Sequence, residues 1–180
     1  MDDVELVREV YDASYRRLVT QLTGVTGSLA EAEDVVQEAF VRAVTHAGTV
    51  RRADNPEAWL RRVAVNVARS RLRRARRWNG LVPRLVGHDE RVPAADLADD
   101  LAADRVALMD ALRRLPGAQR EAIALHHLAD LPVHEVAATL GVPTGTVKAR
   151  LSRGRAALAA LLGEPPEQPA VPSTEEARRG

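Results

Sequence analysis

The feature that most constrains this chain is a break between two short helical patterns. Residues 133–158 read VHEVAATLGVPTGTVKARLSRGRAAL, with Gly141-Val142-Pro143 at the break. Val136, Ala137 and Leu140 fall on one side of a first helix. Glycine tolerates the left-handed conformation of a helix C-cap and proline cannot continue the hydrogen-bond ladder, so that helix must stop there. Thr144 is then placed to cap a second helix through its hydroxyl. Two short helices joined so tightly form a helix-turn-helix.

At about 100° per residue, Val147, Leu151, Gly154 and Leu158 share one stripe of the second helix, which is the side to be buried. Opposite lie Gly145, Lys148, Ala149, Ser152, Arg153 and Ala156, flanked by Arg150 and Arg155. Small residues let a helix backbone approach base edges, lysine and arginine bond guanine acceptors, and the flanking arginines suit phosphates. This is the layout of a helix that reads the major groove. A charge run alone would be a solvated face. The small, turn and apolar positions kept at Ala137, Gly141 and Val147 argue for more.

The rest of the chain also reads as helix. Its composition, 46% hydrophobic but 3% aromatic, suits small aliphatic cores in an all-α fold. The absence of cysteine excludes disulfides and thiolate metal sites. No apolar run approaches the roughly 18 residues that span a bilayer, and Met1-Asp2-Asp3 is acidic where a signal peptide is basic, so membrane insertion is not expected and a cytoplasmic protein is. A net charge of +1 argues against a nucleic-acid binder until its distribution is considered. Cations gather at 61–77 and 148–155, acids at 31–38 and 89–104, a segregation that implies two basic contact surfaces and an acidic partner surface.

Residues 4–22 carry Leu6, Val10, Leu18 and Leu22 with Tyr11 and Tyr15 at helical spacing, and Gly24 and Gly27 should end that helix. Ser28 and Glu31 match a capping box, predicting a second helix to about Val44 with Ala32, Val35, Val36, Ala39, Phe40 and Ala43 buried. Asp34, Gln37, Glu38 and Arg42 stay off that stripe. Residues 46–55 read as a loop, and Asn55 should cap a helix opening at Pro56. This third helix should bury Trp59, Leu60, Val63, Ala64, Val67 and Leu72. Its exposed face should hold Arg61, Arg62, Arg69, Arg71, Arg73, Arg74, Arg76 and Arg77, with no acid between Ala58 and Trp78. Such accumulated like charge is normally relieved by a polyanion.

Residues 78–103 read as a flexible linker, broken by Gly80, Pro83, Gly87 and Pro93, with a helical turn near 97–101. Helical periodicity resumes from Asp104 to Pro116 and from Ala118 to Leu128, and the last helix should fade by Gly163. The proline-rich residues 164–180 read as a disordered tail. The organisation is therefore 1–77, linker 78–103, 104–163 and tail 164–180.

No catalytic constellation emerges, so neither an enzyme nor a metal or other cofactor is expected. His126-His127 and His134-Glu135 lack the second histidine of a zincin motif, and Asp99, Asp100 and Asp104 fall in an acidic linker where solvation explains them.

Three quoted segments carry a resemblance: AEDVVQEAF at 32–40, NPEAWLRRVAVNVARSRLRR from Asn55, and the stretch from Leu115 through Leu158. Together and in this order they resemble an extracytoplasmic-function (ECF, group IV) sigma factor of bacterial RNA polymerase. The resemblance implies two small helical domains, a region-two bundle and a region-four helix-turn-helix, joined by a flexible linker. It implies core RNA polymerase and promoter DNA as partners. Asp34, Gln37, Glu38, Phe40 and Arg42 would dock on the polymerase. Trp59, Arg62, Asn66, Arg69 and Arg73 would hold the melted minus-ten strand, with residues 46–55 providing a base pocket. Thr144, Thr146, Lys148, Ala149, Arg150, Ser152, Arg153 and Arg155 would read the minus-thirty-five duplex. Ser70 departs from an acid common in the family, and Pro132 from the usual serine before the helix-turn-helix. Free in solution, the two domains should move independently or be clamped together by an anti-sigma factor. The main alternative is a stand-alone helix-turn-helix regulator in which 1–77 senses or dimerises. An RNA-binding helical protein is disfavoured by the scarcity of aromatic stacking residues.

Overall fold

Helix α1 (Asp3–Thr26) follows Asp2 and stops where Gly27 takes φ +82°, its N–H donating to the Thr23 carbonyl. Gly24 does not end this helix, contrary to the sequence expectation, but lies buried within its last turn. The computed structural model describes residues 2–79 and 100–163, and every regular element among them is helical. The body of the 78–103 linker and the 164–180 tail lie outside the described residues, as does residue 97–99 of the expected helical turn.

Ser28 caps α2 (Leu29–Thr45), its hydroxyl accepting from the Glu31 N–H at 3.3 Å. The expected stripe of α2, Ala32 through Ala43, is buried and faces α1 in the most extensive helix pairing among the described residues. Tyr11 stacks on Tyr15 with ring centroids 4.6 Å apart and meets Phe40 edge-on at 4.9 Å, geometries that aromatic quadrupoles favour.

Residues 46–55 are not wholly a loop. They contain α3 (Ala47–Arg51), one turn that buries Ala47 and Val50. Asn55 then caps α4 (Pro56–Asn79), its Oδ1 accepting from the Ala58 N–H at 3.0 Å. Leu60, Ala64, Val65, Val67 and Ala68 of α4 are buried, and Trp59 and Val63 pack against the same core while keeping partial exposure.

The second lobe begins with α5 (Asp100–Arg114) and α6 (Gly117–Ile123). The expected continuous helix over 118–128 changes register: Ala124–Leu128 forms a π-helical turn, and the Leu131 N–H reaches back to the Leu125 carbonyl at 3.2 Å. There follow α7 (Val133–Leu140), closed by Gly141 at φ +65°, and α8 (Thr144–Leu162). Thr144 is the first residue of α8 rather than its cap. Pro143 precedes it, and no side-chain cap bond forms.

The two lobes, α1–α4 and α5–α8, share one continuous apolar cluster, from Leu18, Val35 and Leu60 to Leu112, Leu125 and Val147. Between the lobes, α1 packs on α6 and the π turn, and α4 packs on α7. Gly24 makes this approach possible. A Cβ there would lie 2.4 Å from Leu128 Cδ1 and 3.0 Å from Ala124 Cβ.

Candidate nucleic-acid interface

The outer face of α8 is formed as its spacing requires. Val147, Leu151 and Gly154 are buried, with Gly154 seated against Ile123, while Lys148, Ala149, Ser152, Arg153, Arg155 and Thr144 are exposed and Thr146 and Arg150 partly so. Among the described residues no ion pair involves a cation of α8. Gly145, in its first turn, has open space where a side chain would stand. The result is a helix end with little steric bulk and uncommitted positive charge, which can enter a groove of about 12 Å width.

Helix α4 presents a different picture. Trp59, Arg62, Asn66, Arg69 and Arg73 recur at three- and four-residue spacing, so they form one stripe. Arg62, Asn66 and Arg73 are exposed. Trp59 packs on the core and offers only part of its ring. Arg69 crosses to the second lobe, its Nε donating to Glu121 Oε1 at 3.2 Å and its Nη1 to the Leu140 carbonyl at 2.7 Å.

Two other arginines of α4 leave the exposed face assigned to them from spacing. Arg61 is 6% exposed, donating to Gln21 Oε1 at 2.8 Å and Glu57 Oε1 at 3.0 Å. Glu57 also receives Arg17, whose Nε donates at 2.9 Å. Arg71 turns to α2 and donates to Glu38 Oε2 at 2.8 Å, with Asp34 at 3.7 Å. Part of the charge accumulated along α4 is therefore relieved by acids of this chain rather than by a polyanion. Arg62, Arg73, Arg74 and Arg77 remain exposed, and none of them forms an ion pair among the described residues.

The residues expected to form a docking row on α2 are brought together. Asp34, Gln37 and Arg42 are exposed, and Glu38 is held between Arg71 and Arg42, the latter at 2.6 Å. The Arg71 bond, with Arg42 adding, keeps the Glu38 carboxyl below its ordinary value despite partial burial. Phe40 is 6% exposed; its ring packs edge-on against Tyr11 and lines the floor of an apolar groove. The spacing argument missed this groove of about 460 Å³ beside Gln37, lined also by Val4, Val7, Tyr11, Val41 and Val44. Its signal was present: Val41 and Val44 are apolar residues outside the buried stripe of α2, 65% and 50% exposed.

Glu121 was also missed, although it lies three and four residues before the buried Ala124 and Leu125, where the helical stripe calls for an apolar residue. The histidines give no metal cluster among the described residues. His126 Nδ1 pairs with the Leu131 carbonyl at 2.7 Å. Burial first, then His126 and Arg155, push His127 below the ordinary histidine value. No helix among the described residues is long and apolar enough to cross a membrane.

Comparison with known proteins places this arrangement among relatives. The family model described as Sigma-70 region 2 matches residues 10–78, and that described as Sigma-70, region 4 matches residues 105–158. The chain is similar to the ECF RNA polymerase sigma factor SigM of Mycobacterium tuberculosis, 36% identical over 168 residues covering 87% of this chain and 79% of the relative. It is likewise similar to the ECF RNA polymerase sigma factor SigW of Bacillus subtilis, 29% identical over 87% of this chain and 85% of the relative. Among solved structures, it resembles the sigma factor RpoE of Bartonella quintana in complex with the anti-sigma factor NepR. That match has a TM-score of 0.67 and 25% identity, covering 87% of this chain and 96% of the other.

Proposed function

The chain belongs to the extracytoplasmic-function sigma factors of bacterial RNA polymerase, and from that membership we propose how its two lobes divide the work of promoter recognition. It is a sigma factor that binds promoters, and the stand-alone regulator is not favoured because the relatives align over both lobes. We assign it no catalytic step of its own: bond formation belongs to the polymerase.

The second lobe, in this proposal, reads the minus-thirty-five element as duplex. Lys148 and Arg153 bond base edges, Ala149 and Ser152 allow close approach, and Thr144, Thr146, Arg150 and Arg155 hold phosphates. The first lobe holds the melted minus-ten strand with Arg62, Asn66, Arg69 and Arg73, while Trp59 and residues 46–55 frame a flipped base, which takes a few kcal/mol to unstack. The core polymerase docks on Asp34, Gln37, Glu38 and Arg42 and on the apolar groove beside them, which Phe40 helps to line, a charged row bordering an apolar seat being a common interface anatomy. An anti-sigma factor is a further partner in this reading.

The observation that carries the proposal is the pair of cationic helix faces, α4 and α8, on separate lobes. It is tested by reconstitution with purified core polymerase on genomic DNA, with transcript starts mapped. A common pair of elements upstream of the starts, with melting at the downstream one, is the expected result. No association with core, or starts that remain double-stranded, would refute it.

A further inference from the structure

The promoter elements bound by a sigma factor lie about 25 base pairs apart, which at 3.4 Å per step is roughly 85 Å. Each lobe, at about 70 residues, has a radius of gyration near 11 Å, so two lobes in contact span at most about 60 Å. The arrangement in this structure cannot lie on both elements together. The twenty residues 80–99 reach up to roughly 70 Å when extended, enough to let the lobes part. What holds them together is therefore an obstacle that promoter binding must remove.

The contact that holds them includes a residue of the proposed strand-binding stripe. Arg69 donates to the Glu121 carboxylate at 3.2 Å and to the Leu140 carbonyl at 2.7 Å. Glu121 is 8% exposed and its other oxygen, Oε2, has no partner among the described residues. A carboxylate accepting from an arginine supplies the same oxygen acceptor that a DNA phosphate offers. Next to it Arg120 Nε donates to the Val25 carbonyl at 2.9 Å, and Gly24 receives Leu128 and Ala124.

We propose that this inter-lobe contact is an internal latch in which Glu121 stands in for a promoter phosphate on Arg69, so that the free chain is closed and strand capture is coupled to lobe opening. This rests on the reading of α4 as the strand-binding helix. With Nε on Glu121, Nη1 on the Leu140 carbonyl and the side chain 24% exposed, a strand phosphate that takes the same donors of Arg69 competes with Glu121 for them. Coupling of this kind is reciprocal: whatever factor opening contributes to strand affinity, saturating strand contributes to opening. The outer face of α8 is untouched by the latch, which therefore restrains the melted-strand function and the spacing of the lobes without covering the duplex-reading surface.

The absence of cysteine makes the test clean. One engineered cysteine per lobe, on exposed sites of α2 and α5, reports the inter-lobe distance by energy transfer in the full-length protein. Strand affinity is read with a fluorescent single-stranded 20-mer of mixed sequence, without polymerase. Gly24→Leu, a wedge, and Glu121→Gln, which removes the charge with little change of shape, should each open the lobes. Each should raise strand affinity by a factor between about 5 and 150, the usual range for coupled sites. Saturating strand should in turn lengthen the inter-lobe distance of the parent. Unchanged strand affinity in both opened variants, or an inter-lobe distance that saturating strand leaves unchanged, overturns the latch. Arg62→Ala with Arg73→Ala in the wedge background separates the two ideas. If it leaves strand binding untouched, the reading of α4 has failed; if it lowers binding while the wedge alone did nothing, only the latch has.

Discussion

Helices α8 and α4 are both cationic, but their charges are used differently. On α8 no cation forms an ion pair among the described residues, and the whole outer face is open. On α4, Arg61, Arg69 and Arg71 are tied to acids of the chain, and about half of the positive face is left for a ligand. Periodicity alone gives the same description of both helices. The difference lies in what packs beside them: α8 shows one full side to solvent, whereas α4 is crossed by α1, α2 and α7. A run of arginines thus counts potential contacts, and tertiary packing decides how many are available.

The largest effect should come from α8. Lys148→Ala with Arg153→Ala removes the two base-edge contacts proposed for α8, worth about 1–3 kcal/mol each, so discrimination between matched and altered minus-thirty-five elements should fall on the order of 10²-fold or more. Run-off transcription measures it, with binding to core polymerase unchanged. Promoter choice identical to that of the parent would break the comparison at its stronger side.

On α4 two adjacent arginines should part company. Arg61→Ala leaves Gln21 and part of Glu57 without a buried partner and opens a hole, at a cost of about 2–4 kcal/mol in urea denaturation. Arg62→Ala should stay within about 0.5 kcal/mol in stability and instead weaken single-strand binding. Equal stability losses would mean that burial does not sort these cations.

The legible part of the molecule follows from local rules. Ser28, Asn55 and Gly141 punctuate helices through bonds or dihedrals spanning a few residues, and the stripes of α2 and α8 obey the helical period, so sequence alone suffices for them. The illegible part depends on distant residues. Arg61 finds Gln21 across 40 positions, Arg71 finds Glu38 across 33, and Arg69 finds Glu121 across 52. Gly24 looked like a terminator because glycine usually is one; its function here is to admit Leu128. The turn α3 was missed because five residues carry too little periodicity to separate a helical turn from a loop.

On the docking side, Gln37→Ala with Glu38→Ala should weaken assembly with core polymerase by about 10-fold, checked by titration of labelled protein with core. Native-strength assembly would detach the row from the polymerase. Glu38 serves twice, since it also neutralises Arg71, and a second measurement is needed to separate the two uses.

That measurement is the pH dependence of stability, the smallest effect of the set. Arg71 first and then Arg42 lower the Glu38 pKa in the folded chain. A lowered carboxylate value means that the unfolded chain takes up the proton first as pH falls. The stabilisation is therefore fully present above the unfolded value of about 4.3 and disappears as pH drops through the lower folded value. With the Glu38 side chain 35% exposed, screening limits the contribution to a few tenths of a kcal/mol. Glu38→Gln should flatten the parent's stability profile below about pH 4.3, whereas Lys148→Ala, on a helix with no ion-paired cation among the described residues, should leave that profile unchanged. If both variants retain the parent's slope, the arginines of α4 are no more committed than those of α8, and the distinction between the two helices fails at Glu38.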